Sequence, residues 1–191
     1  MNRKTKSRIV EIIDEHNRMV ASLRASGPEI INDAAEAIIK ALKKGGTIYI
    51  CGNGGSAADA QHIASELVNR FECNRRALPA VALTTDSSII TSISNDSSYE
   101  QIFARQAEAL VKKGDVFWAL STSGSSPNVL AGVKVARQKG AFIIAFTGRK
   151  NSTLERQADI CLCANDKSAA RSQEIHHLAY HIICGLVESR F

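Results

Sequence analysis

Residues 47–71 read TIYICGNGGSAADAQHIASELVNRF. The first half is the pattern of a buried strand running into a glycine-rich turn, and the second half is the helix that follows. Such a turn presents backbone N–H groups, a helix N-terminus and the Ser56 hydroxyl to one point in space. That combination suits an anion, and a phosphate best. Further along the same helix, His62 and Glu66 are four residues apart and share a face. The stretch thus offers an anion cradle and, about two turns on, a metal or acid–base pair.

Outward from this stretch the chain alternates. A strand at 47–51 and a helix at 56–70 are followed by short strands near 79–83, at 115–121, at 141–147 and near 159–163. Helical patterns fill the gaps, ending in a long helix over 168–190. Strands separated by helices predict an α/β fold: a three-layer sandwich with a five-stranded parallel sheet flanked by helices. Ligands of such sheets bind at the carboxyl ends of the strands. Two amphipathic helices, over 5–24 and 28–44, precede the first strand, with Ser26-Gly27-Pro28 predicted to break the chain between them. The apolar stripe of the first has no evident partner in the sequence, which assigns it to another subunit. The chain therefore reads as one domain over 1–191, with N-terminal helices for oligomerisation in 1–45 and an α/β core in 46–191.

Composition narrows the function. At 191 residues, 45% hydrophobic and 23% charged, the chain can bury a full core without staples. A net charge of +5, scattered except for the start MNRKTKSR, fits anionic small substrates better than nucleic acid. Five cysteines without a C-x-x-C spacing read as reduced thiols of a cytoplasmic protein. A signal-peptide pattern is absent, and no apolar run reaches transmembrane length.

Two loops at strand carboxyl ends are rich in Gly and Ser. One is Gly52-Asn53-Gly54-Gly55-Ser56; the other is Ser121-Thr122-Ser123-Gly124-Ser125-Ser126. Each alone is accounted for by capping and turn chemistry. Two at corresponding strand ends point to phosphate binding, since hydroxyls, N–H groups and a helix dipole ligate a dianion without a lysine. A dinucleotide fold is the rival: Gly52-x-Gly54-x-x-Ala57 fits its fingerprint and Asp86 follows the next strand. Asp86 lies farther on than the usual spacing, and this reading leaves the serine loop unexplained.

On the final helix Gln173, His177 and His181 step by four, with His176 beside them. Should this face meet that of His62 and Glu66, imidazoles, a carboxylate and an amide oxygen would suit zinc. Nothing in the spacing forces the two helices together. Asn95-Asp96 reads either as a helix end or as a polar contact, and Arg70 either as a surface charge or as an anion ligand.

CGNGGSAADAQHIASELVNRF, STSGSSPNV and QEIHHLAYH together resemble the SIS (sugar isomerase) domain family, and within it the sedoheptulose 7-phosphate isomerases. The resemblance spans nearly the whole chain. It implies a homotetramer with active sites shared between subunits, and one zinc ion per subunit on His62, Glu66, Gln173 and His181. It implies substrate contacts at Asn53, Gly54, Gly55, Glu66, Asn95, Asp96, Ser121, Thr122, Ser123, Ser126 and Gln173, and the cradle reading adds Ser56. The implied reaction converts sedoheptulose 7-phosphate to D-glycero-D-manno-heptose 7-phosphate for lipopolysaccharide or S-layer glycan precursors. Glu66 is then the candidate base and His181 the candidate acid. Ser172 departs from the family pattern, where an apolar residue is expected. Two alternatives within the family are a non-catalytic protein that binds the bacterial replication initiator and a sugar-phosphate-binding regulatory domain. The first needs no complete acid–base set; the second is usually fused to a recognition helix that residues 1–45 do not resemble.

Overall fold

The computed structural model describes residues 2–191; Met1, which begins the predicted 1–45 segment, lies outside them. The elements in order are α1 (Arg3–Ser26), α2 (Pro28–Lys43), β1 (Ile48–Cys51), α3 (Gly55–Val68), β2 (Ala80–Ala82), α4 (Ser87–Asp96), α5 (Ile102–Leu110), β3 (Val116–Ser121), α6 (Pro127–Gln138), β4 (Phe142–Thr147), α7 (Thr153–Arg156), β5 (Ile160–Cys163) and α8 (Ala169–Glu188). The strands form one parallel sheet in the order β2-β1-β3-β4-β5. The expected five-stranded parallel α/β architecture is what the chain adopts. Among the described residues no helix is long and apolar enough to cross a membrane.

Strand periodicity divides the core in two. Ile48, Ile50, Trp118, Leu120, Ile144 and Phe146 face α2, α3 and α8. The alternate residues Tyr49, Cys51, Phe117, Ala119, Ile143 and Ala145 face α5 and α6. Both faces are apolar because both are covered, so β3 is buried at all six positions. Buried Asp115 fixes how the sheet begins, accepting the Thr47 N–H at 2.8 Å and the Lys112 N–H at 2.7 Å. All five cysteines are free thiols, and burial pushes Cys161 and Cys184 up to about 12.

The expected break between α1 and α2 falls at Gly27, which alone separates the helices and keeps right-handed helical angles (φ −90°, ψ −28°). Its N–H donates to Leu23 O at 2.7 Å, and its carbonyl accepts from Ile31 N–H at 2.9 Å. Pro28 occupies a first-turn position of α2, where a missing N–H costs nothing. Met19, Val20 and Leu23 pack against the core, while Ile9, Val10 and Ile13 on the outer part of α1 are exposed.

His176 points inward from α8, fully buried, and its Nε2–H donates to Thr147 O at 3.0 Å. Burial pushes its pKa down to about 4, against the weaker upward pull of that hydrogen bond. Between the unfolded value of 6.5 and about 4, the unfolded chain binds the extra proton, so stability falls as pH drops through that window. This one group should remove about 3 kcal/mol between pH 7 and pH 4. Denaturant unfolding at the two pH values should show a smaller loss in His176→Gln, which keeps an N–H donor that does not titrate.

Candidate functional site

In this strand order, the crevice where ligands collect lies between β1 and β3. The two Gly/Ser loops leave those two strands. Gly54, the N-cap of α3, has φ +56°, a backbone conformation that glycine adopts at no steric cost. A Cβ on Gly55 would lie 2.5 Å from Nε2 of Gln173. The glycines therefore serve both the turn and the close passage of the α8 side chain over it.

The serine loop is not spent on capping. The Ser126 hydroxyl makes no cap to α6 and meets Ser121 Oγ at 2.9 Å. Ser121 Oγ also lies 3.3 Å from Ser123 Oγ, and the Ser125 N–H donates to Ser123 Oγ at 3.2 Å. Hydroxyls bonded to one another at the start of α6 can rotate toward an anion that arrives there. The ordinary capping role of Ser126 is therefore not taken up.

Asn53, on the first loop, reaches Asn128 in the first turn of α6, the helix after the second loop. Its Nδ2 donates to Asn128 Oδ1 at 2.9 Å, and Asn128 Nδ2 donates back to Asn53 Oδ1 at 2.8 Å. The Tyr99 hydroxyl donates to Asn53 Oδ1 at 3.0 Å.

The helices α3 and α8 do meet. His62 Nε2 lies 2.9 Å from Glu66 Oε1 and 3.4 Å from His181 Nε2. Ligand atoms of His62, His177 and His181 all lie within 4.8 Å of one another. Two imidazole nitrogens facing at such a distance repel as lone pairs unless a proton or a cation lies between them. With a carboxylate adjacent, this donor set fits zinc. Gln173 lines the same cleft, of about 590 Å³, with Gly55, Asp59, His177 and His181. The cluster within metal-binding reach is His62, His177 and His181, with Glu66 bonded to His62 and Gln173 lining the cleft beside His181. Burial holds His181 below the usual histidine value, helped by the His177 and His62 rings and opposed by Glu66.

Behind the imidazoles stands a network that sequence reasoning missed. The Tyr180 hydroxyl lies 2.7 Å from His177 Nδ1, 3.2 Å from His62 Nδ1 and 3.4 Å from Asp59 Oδ1. Burial raises both Asp59 and Tyr180. Asp59 precedes His62 by three residues on the same helix face, a spacing that was available as a signal.

Other sites fell differently. Asn95 and Asp96 are exposed at the end of α4 and bonded to each other at 2.8 Å. Asp86 caps α4 through the Ile89 N–H at 2.9 Å, so it is spent on a helix and not poised for a ribose. Ser56 is buried in the first turn of α3. Ser172 turns from the cleft toward Gly148, where a Cβ would come within 2.4 Å of its hydroxyl. The serine is thus a packing adjustment.

The family model for the SIS domain matches residues 12–148. A phosphoheptose isomerase of Roseiflexus sp. is 50% identical over 154 residues, covering 81% of this chain and 78% of the relative. The chain belongs to the SIS domain family, among the phosphoheptose isomerases. A second such relative, from Thiobacillus denitrificans, is 48% identical over 188 residues, 91% of this chain and 95% of that one. The solved phosphoheptose isomerase of Neisseria gonorrhoeae superposes with a TM-score of 0.91 at 37% identity, over 97% of this chain and 99% of that one.

Arg75, and not Arg70, closes the carboxyl end of α3. Its guanidinium donates to Glu66 O at 2.6 Å, Leu67 O at 2.8 Å and Asn69 O at 3.3 Å. Its Nε lies 3.4 Å from Glu188 Oε1, and both side chains are almost fully buried. Glu188 also accepts the N–H groups of Phe71, Glu72 and Cys73 at 2.7–2.8 Å. This clasp holds the Phe71 ring 5.4 Å from that of His181. Glu188→Ala should cost about 3–5 kcal/mol in denaturant unfolding, because it leaves a buried guanidinium unpaired. Glu188→Gln, which keeps one acceptor, should cost less.

Proposed function

We propose that this chain is an aldose–ketose isomerase that converts sedoheptulose 7-phosphate to D-glycero-D-manno-heptose 7-phosphate, the first step toward nucleotide-activated heptose. The observation that carries the reading is the convergence of Glu66 and His181 on His62, beside an uncapped serine loop at the carboxyl end of β3, the strand paired with β1. The phosphate would seat on Ser121, Thr122, Ser123 and Ser126, with Asn53, Gly54, Gly55 and Ser56 opposite. Remote binding energy then positions C1 and C2 of the open-chain sugar.

In the forward direction Glu66 takes the proton from C1 and delivers it to O2, which gives the enediol. In the second half His181 takes the proton of the C1 hydroxyl and delivers it to C2, so the enediol collapses to the aldehyde. A zinc ion held by His62, Glu66, Gln173 and His181 supplies Lewis-acid polarisation of the carbonyl when bound. Because Glu66 and His181 serve as ligands and as acid–base groups, coordination has to loosen during turnover; a structural or inhibitory metal is the alternative.

The complete acid–base set favours an enzyme over an initiator-binding relative. The exposed apolar face of α1, continued by Leu178, Ile182 and Leu186 on α8, supports a homotetramer built through residues 1–45. Glu66→Gln should lower turnover of sedoheptulose 7-phosphate by about 10²–10⁴-fold with unchanged size-exclusion elution. Near-normal turnover in that variant would sink the assignment. Chelation should abolish activity and zinc restore it; turnover that survives complete metal removal assigns the ion to structure.

A further inference from the structure

The Asn53–Asn128 pair carries information about the ligand, because the hydrogen-bonding capacity of both amides can be counted. The count starts at a group whose polarity is beyond doubt. The backbone N–H of Val129, in the first turn of α6, donates to Asn128 Oδ1 at 3.0 Å. A backbone N–H only donates, so the Asn128 oxygen faces it and the Asn128 amide has one orientation. The Asn128 oxygen's second bond is from Asn53 Nδ2 at 2.9 Å. Asn128 Nδ2 then lies against Asn53 Oδ1 at 2.8 Å and must be the donor there.

Asn53 Oδ1 also accepts from the Tyr99 hydroxyl at 3.0 Å, so both of its lone pairs are taken. One Nδ2 hydrogen is bonded to Asn128. The single capacity left on Asn53 is its other Nδ2 hydrogen. Asn128 is buried, whereas Asn53 is only half-buried on the loop leaving β1. Burial fixes the first amide, and the first amide fixes the second.

We infer that Asn128 is a positioning residue that sets Asn53 as a hydrogen-bond donor only, so that the sugar-phosphate atom bound there is an acceptor oxygen. The statement rests on the proposed substrate class for the ligand, but the orientation itself does not. A hydroxyl seated on Asn53 must turn its lone pair toward it, and a phosphate oxygen satisfies it outright. Asn128→Asp removes the donor that faces Asn53 Oδ1 and puts two oxygens in contact. Turning the Asn53 amide over only moves its oxygen against the other carboxylate oxygen, so neither orientation keeps both bonds and Asn53 loses its fixed setting.

Side-chain amide NMR on the full-length protein tests the orientation without any substrate, with Asn53 assigned by comparison with Asn53→Ala. The free protein should show one slowly and one rapidly exchanging Asn53 Nδ2 hydrogen, and Asn128→Asp should change this pattern. Two rapidly exchanging hydrogens in the wild type would overturn the inference. The ligand half is tested by kinetics with sedoheptulose 7-phosphate, with thermal melts confirming that each variant is folded. Asn128→Asp should raise KM about tenfold with a much smaller change in kcat, and the same change should have little effect in an Asn53→Ala background. Equal effects in both backgrounds mean that Asn128 does not act through Asn53. Absence of wild-type turnover refutes the proposed reaction and with it the ligand half, while the NMR result still decides the orientation.

Discussion

The approach of α3 to α8 is the constraint on which the site depends. Gly55 has to lack a side chain so that Gln173 can lie across the turn. The buried Ala60 and Ala64 on α3 and Ala179 on α8 keep the contacting faces small. Only at that separation do His62 and His181 come within 3.4 Å. Close helix packing and a cluster of titratable groups oppose each other, since packing strips the water that would solvate lone pairs and charge. The opposition is resolved locally: Tyr180 serves two imidazoles from behind, and Glu66 serves one from the front.

The two walls of the crevice are held by different means. The Gly/Ser loops are fixed by backbone geometry and by hydroxyls that bond one another, an arrangement a ligand can reorganise at little cost. The imidazole wall is fixed from a distance. Arg75 and Glu188 are buried together at the far ends of α3 and α8, tying the end of one helix to that of the other and pressing Phe71 on His181. In the proposed reaction, pliant loops at the phosphate and a stiff cluster at the reacting carbons would suit protons that shift over short distances.

The sheet was legible because its signals are local. Short apolar runs bounded by glycine set the strands, and period-two alternation sets the faces. The α1–α2 break was legible for the same reason, since Gly27 ends one helix and Pro28 opens the next. In the site, the repeats at i, i+4 exposed His62, Glu66, Gln173 and His181, since helical spacing alone puts them on one face. Asn128, Tyr180, Arg75 and Glu188 were hidden because their roles exist only toward partners distant in sequence. Asn128 is 75 residues from Asn53, and Glu188 is 117 from Phe71. Nothing around Asn128 in the chain distinguishes it from an ordinary first-turn residue.

Those distances also have a temporal meaning. His62 and His181 are separated by 119 residues, with four further strands of the sheet between them. While the polypeptide is being made, the half-site on α3 stays exposed until the last helix docks. Neither half alone gathers the three imidazoles, so the growing chain offers a cation only scattered donors. Chemical competence is therefore acquired in one late event, when α8 closes over α3, and a partly folded molecule is idle instead of promiscuous.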